Sequence, residues 1–154
     1  LKNYRYVLFS THGVASDAVG ANSYLVLNPS EQNGSEVDGR LSLTEIAKLD
    51  LGADVVFLSA CETGLGRTHL SEGTMGLPYA FLLAGGSSVV ASLWKIDDNA
   101  TRLFVTEFFR ILRSDPERNT IAALSETKRA FANGRFPGYT DPAYWSAFVI
   151  YGGL

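Results

Sequence analysis

The run of residues 54–59, DVVFLS, constrains the fold of this chain more than any other segment. Its central VVFL is apolar at every position, whereas a strand with one solvent-facing side alternates apolar and polar residues. A strand of this kind is typical of a sheet that helices cover on both faces. Other apolar runs alternate along the chain with segments of helical periodicity, and this order predicts an α/β domain with a mostly parallel sheet.

The pattern predicts short elements throughout the chain. Strands are predicted at residues 4–11, 22–27, 54–59, 87–94 and 148–151, and helices at 71–84, 98–113 and 120–133. A further helix is predicted from Ser42, which forms a capping box with Glu45, to about residue 49. The polar stretch 28–40 is predicted to be a surface loop. No internal repeat is found, and the whole chain, 1–154, is assigned to one domain.

Composition limits the class of protein. The chain has 154 residues, of which 46% are hydrophobic and 19% charged, as in a globular domain. A net charge of −3 without a basic run gives no reason to expect binding to nucleic acid or to a membrane. No metal-ligand cluster or phosphate-binding loop is recognised, so no metal or other cofactor is expected. The single cysteine rules out an internal disulfide and favours a reducing compartment, the cytoplasm.

Two reactive side chains follow predicted strands. His12 comes directly after strand 4–11, and Cys61 comes shortly after strand 54–59. If these strands are parallel neighbours, both residues emerge at the same edge of the sheet, where α/β proteins carry their active sites. A histidine there lowers the pKa of the thiol and protonates a leaving amine, which is the chemistry of a cysteine peptidase. The backbone N–H groups of Gly13 and Cys61 would then form an oxyanion hole.

Other interpretations of these residues stay open at this point. A single cysteine at a strand end is often a small buried apolar residue, and a single loop histidine is often solvated. His69 follows Cys61 by eight residues and is a second candidate for the base, although no predicted strand places it. His12 lies 49 residues before Cys61, which is close to the separation of about 50 described for caspases.

Longer motifs resemble those of the CHAT domain, a caspase-like family related to separase. The match comprises STHG at 10–13, DGRL at 38–41, LSACETGLG at 58–66, AGG at 84–86 followed by VVASLW at 89–94, and the closing PxxWxxF of 142–148. The resemblance implies a caspase-haemoglobinase fold, a three-layer α/β sandwich, and cysteine endopeptidase activity. It assigns His12 and Cys61 as the catalytic dyad. The Gln-Ala-Cys form of caspases is absent, so caspase specificity for aspartate is not expected.

The resemblance also implies a substrate-binding site after strand 87–94. In separase-like enzymes an acidic residue there binds a substrate arginine, which makes Asp98 the preferred counterpart and Asp97 the second choice. The alternative for both is a role at a helix N-terminus, where carboxylates are favoured. Trp94 either forms a wall of the same pocket or belongs to the core.

The family context implies partners as well. CHAT domains often follow helical repeats such as tetratricopeptide repeats (TPRs), so an N-terminal TPR region or a second chain is expected to regulate cleavage of a protein or peptide substrate. Family members carry further strand and helix elements before the histidine strand. This chain, which does not begin with Met, is interpreted as a piece of a longer protein without those elements. The competing hypothesis is a catalytically silent interaction module, because caspase-like folds also serve as scaffolds.

Overall fold

The computed structural model of the chain describes residues 1–14, 23–32, 35–59, 73–115 and 119–153. Its strands are β1 (Tyr6–Phe9), β2 (Gly13–Val14), β3 (Tyr24–Val26), β4 (Ser30–Gln32), β5 (Ser35–Val37), β6 (Arg40–Ser42), β7 (Val55–Leu58), β8 (Ser88–Ser92) and β9 (Phe148–Gly152). Its helices are α1 (Leu43–Ile46), α2 (Gly73–Leu83), α3 (Asp98–Arg113) and α4 (Thr120–Ala132). A 3-10 turn at Pro142–Tyr144 precedes β9.

The central sheet has the strand order β1-β7-β8-β9. β1, β7 and β8 run parallel to one another, and β9 is antiparallel to β8. The strand with the uniformly apolar sequence, β7, lies between two neighbours and is buried at all four positions. This arrangement agrees with the predicted α/β class and the mostly parallel sheet.

Helices pack on both faces of the central sheet and enclose two separate apolar clusters. On one face, Phe57 of β7 packs with α3 and α4 through Phe104, Phe108 and Phe131. On the other face, Val56 and its neighbours pack against α1 and α2. Alternate side chains of one strand therefore enter different cores, which explains why β7 needs apolar residues throughout. Within the described residues, no helix combines the length and the apolar character needed to cross a membrane.

Side-chain caps and one glycine set the ends of the longer helices. Asp97 accepts a hydrogen bond from Ala100 N at 3.0 Å and begins α3, and Asn119 accepts one from Ala122 N at 2.8 Å and begins α4. Gly85 follows α2 with a φ of +100°, and a Cβ at this position would collide with the carbonyl of Leu51. The predicted bounds of α3 are confirmed, and α2 ends at Leu83, one residue before the predicted end.

Most described residues of the stretch 28–40 are exposed, as predicted, but the prediction that this stretch is a loop is wrong. β4 and β5 form an antiparallel hairpin there, and β6 pairs with β3 in a second sheet of order β2-β3-β6. The hairpin strands, SEQ and SEV, contain too few apolar residues to give the alternation by which strands are recognised. The predicted strand 4–11 is also shorter than expected, because the chain leaves the central sheet after Phe9 and joins this second sheet at Gly13.

The predicted capping box of α1 is confirmed, but the helix ends earlier than predicted. Ser42 accepts a hydrogen bond from Glu45 N, and the Glu45 carboxylate accepts one from Ser42 N at 2.8 Å. After Ile46 the chain continues with bonds between residues three apart, Lys48 N to Glu45 O and Leu49 N to Ile46 O. These tighter turns extend the helical apolar pattern beyond the α-helix itself.

β1 is an edge of the central sheet among the described residues. Its sequence, YVLF, carries no charge or proline, and Leu8 is 46% exposed. Apolar edge strands of this kind are normally covered in native proteins. The expectation that further elements precede β1 in the longer protein stays a prediction.

Replacement of Glu107 by glutamine is expected to lower the free energy of unfolding by about 2 kcal/mol at neutral pH. The Glu107 side chain on α3 is only 6% exposed and bridges Arg110 at 2.7 Å and Arg135 at 3.2 Å. Hydrogen bonds from Arg110 hold the pKa of the Glu107 carboxyl below its usual range. The stabilisation is therefore complete above the ordinary glutamate pKa of about 4.3 and is lost as the pH falls through the lower folded-state pKa.

Urea unfolding of wild type and Glu107→Gln between pH 3 and pH 7 measures this contribution. We expect the difference in free energy between the two proteins to shrink as the solution becomes acidic. Glu31→Gln, at an exposed position of β4, removes the same charge away from this cluster and serves as the control. A difference between wild type and Glu107→Gln that is constant across this pH range would contradict the assignment.

Candidate active site

The carboxyl ends of β1 and β7 lie side by side. The strands pair in parallel register from Tyr6 opposite Val55 to Phe9 opposite Leu58. One step further, Ser59 N donates a hydrogen bond of 2.8 Å to Phe9 O. The two strands are parallel neighbours, which is the condition on which the predicted shared edge depends, and their last paired residues, Phe9 and Leu58, lie at the same edge of the sheet.

The second sheet holds the backbone of His12. Val26 N, in β3, donates a hydrogen bond of 2.8 Å to His12 O, and the Thr11 hydroxyl donates one to Val26 O. The His12 side chain is exposed. The main chain at this position is therefore held by hydrogen bonds to Val26 of β3, while the imidazole remains accessible to solvent.

The hydrogen-bonding pattern gives Gly13 a defined orientation. His12 O faces β3, and successive residues of an antiparallel strand direct their N–H and C=O groups to alternate sides. The Gly13 N–H consequently points away from β3. Gly13 is buried and does not itself line the cavity beside His12, and its lack of a side chain removes one obstacle to close approach of another group to this N–H.

A cavity of about 480 Å³ adjoins the two strand ends and the first half of α3. It is lined by Leu8, Ser10, Thr11, His12, Ser59, Asp98, Thr101, Arg102, Val105 and Thr106. The lining combines an imidazole, a carboxylate, a guanidinium and several hydroxyls above an apolar floor. Such a cavity provides a proton acceptor beside groups that can bind a charged or polar side chain.

The structure separates the two acidic candidates. The Asp97 carboxylate caps α3 by accepting the hydrogen bond from Ala100 N and does not line the cavity. Asp98 is exposed and lines the cavity together with His12 and Ser59. A capping side chain must come from the residue directly before the helix, so the helix start determines which of the two carboxylates is engaged.

Trp94 lies away from this cavity lining. It is half-buried and packs against the apolar cluster of α3 and α4. Its Nε1 donates a hydrogen bond of 3.2 Å to Ala143 O, just before β9. Among the described residues, its contacts are those of a core residue that joins the end of β8 to the chain before β9.

Two further cavity residues, Thr101 and Arg102, were not singled out from the sequence. They follow Asp98 by three and four residues and lie on the same side of α3. Thr101 Oγ1 is buried and has no hydrogen-bond partner in the part of the chain that the structure describes. Extending the helical period from Asp98 would have identified both positions as neighbours of the site.

The remaining predicted site residues lie outside the described residues. Cys61, proposed as nucleophile and as oxyanion-hole donor, belongs to this group, as does the alternative base His69. Ser59, two positions before Cys61 in the sequence, is the described residue nearest to it.

The fold and this cavity define an α/β domain with a histidine at the carboxyl edge of a mostly parallel sheet. The family model for the CHAT domain matches residues 1–153. The chain belongs to the CHAT domain family, which is related to caspase-like peptidases.

Curated relatives carry the same region within much longer proteins. Tetratricopeptide repeat protein 28 from Mus musculus is 27% identical over 112 residues, which are 73% of this chain and 4% of that protein. Tetratricopeptide repeat protein 28 from Homo sapiens is 25% identical over 112 residues, again 73% of this chain and 4% of the relative. The match therefore spans a small part of the length of these relatives.

Proposed function

We propose that this chain is a cysteine endopeptidase domain of caspase-haemoglobinase type, with Cys61 as nucleophile and His12 as general base and acid. The observation that carries the proposal is the cavity that His12 shares with Ser59 at the adjoining ends of β1 and β7. Two peptide units join Ser59 to Cys61, a reach of at most ~7 Å. This short connection supports pairing of the Cys61 thiol with the imidazole.

In the proposed reaction, His12 accepts the thiol proton and the Cys61 sulfur attacks the carbonyl carbon of the substrate peptide bond. The N–H groups of Gly13 and Cys61 donate hydrogen bonds to the resulting oxyanion. The C–N bond then breaks, His12 returns the proton to the leaving amine, and a thioester remains. Water, deprotonated by His12, attacks the thioester, releases the new carboxyl terminus and restores the thiol.

The orientation of Gly13 supports its part in this proposal. Its N–H points away from β3, and its backbone adjoins His12. A donor aimed at the developing oxyanion contributes about 10²–10³-fold to the rate. A side chain at this position would restrict the approach of the substrate carbonyl to the N–H.

Exposure of a mixed peptide library to wild type and Cys61→Ala, followed by mass spectrometry of the products, tests the proposal. We expect new amino termini only with wild type. Equal product patterns with both proteins would overturn the peptidase function and would favour a catalytically silent interaction module.

Asp98→Asn is expected to lower kcat/KM for peptides with arginine before the cleaved bond by about 10- to 100-fold, because a charge-assisted hydrogen bond contributes about 1.5–3 kcal/mol. Asp98 lines the cavity and makes no ion pair with another described residue. Cleavage of a peptide with a neutral residue at the same position is expected to change little.

Asp97→Asn is the matched control for this prediction. It removes the same charge one residue earlier, and asparagine caps a helix about as well as aspartate. We expect it to alter kcat/KM by less than about threefold. Equal losses for both variants, or a preference for acidic or apolar residues in the wild type, would contradict the role of Asp98.

We further propose that the domain acts within a longer cytoplasmic protein and is regulated by a TPR region or by a second chain. The names of the two relatives and the small share of their length that this domain covers support that setting.

A further inference from the structure

The outer face of α3 continues the cavity near His12 into a shallow groove. A second cavity of about 450 Å³ is lined by Thr106, Phe109, Arg110, Arg113 and Ser114, and it shares Thr106 with the first. Arg102, Thr106, Phe109 and Arg113 follow one another at spacings of three or four residues. They form one side of the helix, named here the α3 groove.

The charge of the α3 groove is opposite to that of the whole chain. The protein carries a net charge of −3, yet Arg102, Arg110 and Arg113 all line this face. Arg110 is compensated, because it binds the buried Glu107 at 2.7 Å and lies near Glu126. Arg102 and Arg113 make no ion pair with a described carboxylate, so they provide the available positive charge.

The dimensions of the groove suit an extended peptide. Arg102 and Arg113 are separated by eleven residues of helix, a rise of about 16 Å, which corresponds to about five residues of extended chain. Val105 and Phe109 supply apolar surface between the two cations, and Leu8 of β1 adds to it at the cavity end. The groove therefore offers an apolar strip with a positive group at each end.

We propose that the α3 groove binds an acidic segment of the substrate polypeptide, next to the residue that enters the cavity at Asp98. The inference rests on the proposed peptidase function, since the cavity beside His12 holds the cleaved part of the same segment. Charge complementarity supports an acidic occupant, and continuity with the cavity supports a segment of the substrate over a separate partner. Asp98 and Arg102 then select opposite charges within one substrate: a basic residue at the cavity and acidic residues along α3.

Binding to the Cys61→Ala variant, measured by fluorescence anisotropy, tests this inference without requiring catalysis. The probes are labelled peptides in which one arginine is either preceded or followed by five glutamates. In the matching control peptides, five serines replace the five glutamates. We expect a glutamate probe to bind at least about tenfold more tightly than its serine counterpart, and this advantage to decrease with rising salt.

Arg102→Glu and Arg113→Glu, each in the Cys61→Ala background, are expected to weaken binding of the glutamate probe by about fivefold or more. Arg129→Glu, at an exposed position of α4 that lines neither cavity, changes the net charge equally and should have less than a twofold effect. Equal affinities for glutamate and serine probes, no binding of either, or an equal loss with Arg129→Glu would overturn the inference. Tight binding of the glutamate probe, together with no peptide cleavage by wild type, would establish the groove as a binding site and refute the peptidase function.

Discussion

His12→Ala is expected to reduce kcat/KM for a cleaved peptide by about 10²–10⁴-fold, the usual contribution of a positioned acid–base group. In the proposed reaction His12 both generates the thiolate and protonates the leaving amine, so its loss impairs two steps. The side chain is exposed, and the hydrogen bond that fixes this position is made by its backbone. The free energy of unfolding should therefore remain within about 0.5 kcal/mol of wild type.

His69→Ala is the matched control, because His69 is the other histidine of the chain. We expect this variant to retain most of the activity. A large loss with His69→Ala and a small one with His12→Ala would assign the base to His69 instead. Urea unfolding of all three proteins separates these effects from a loss of folded protein.

Phe104→Ala is expected to destabilise the protein by about 3–5 kcal/mol. Phe104 is fully buried in α3, and its ring stacks on Phe148 of β9 with centroids 4.0 Å apart. It also contacts Phe131 of α4, with centroids 5.4 Å apart. The substitution leaves a cavity where α3 and α4 pack on the sheet. It also removes the ring contacts of Phe104 with Phe131 and Phe148.

Leu103→Ala, at the neighbouring half-buried position of the same helix, is the control for Phe104→Ala. Helix propensity and the unfolded chain change little in either case, so the difference between the variants reports burial. We expect Leu103→Ala to lower the free energy of unfolding by less than half as much as Phe104→Ala, measured from the urea midpoints at an unchanged slope of free energy against urea concentration. Similar losses for both positions would contradict the placement of Phe104 at the centre of this core.

The central elements could be predicted because their physical causes are local in the sequence. The apolar run of β7 identifies a strand covered on both faces, and the helical periodicity predicts the bounds of α3 and α4 to within one residue. The mostly parallel sheet followed from the α/β order of the elements, whereas the sequence left open whether β1 and β7 are neighbours, which the structure shows.

The remaining features depend on contacts that the sequence does not encode locally. The hairpin of β4 and β5 has little apolar alternation, and β2 is defined by its pairing with β3 rather than by its own two residues. The sequence analysis preferred Asp98 over Asp97 but left a role at the helix N-terminus open for both, and the hydrogen bond from Ala100 N to Asp97 was needed to separate them. Arg102 became relevant only when the cavity showed which side of α3 adjoins His12.

The rate of Cys61 alkylation by iodoacetamide across pH, in wild type and His12→Ala, tests the central claim most directly. Cys61 is the only cysteine, so mass spectrometry of the whole chain reports this thiol alone. A paired imidazole stabilises the thiolate, and we predict an apparent pKa clearly below the free-thiol value of about 8.5, rising toward that value in His12→Ala. An ordinary thiol titration that His12→Ala leaves unchanged would contradict the proposed Cys61–His12 pair.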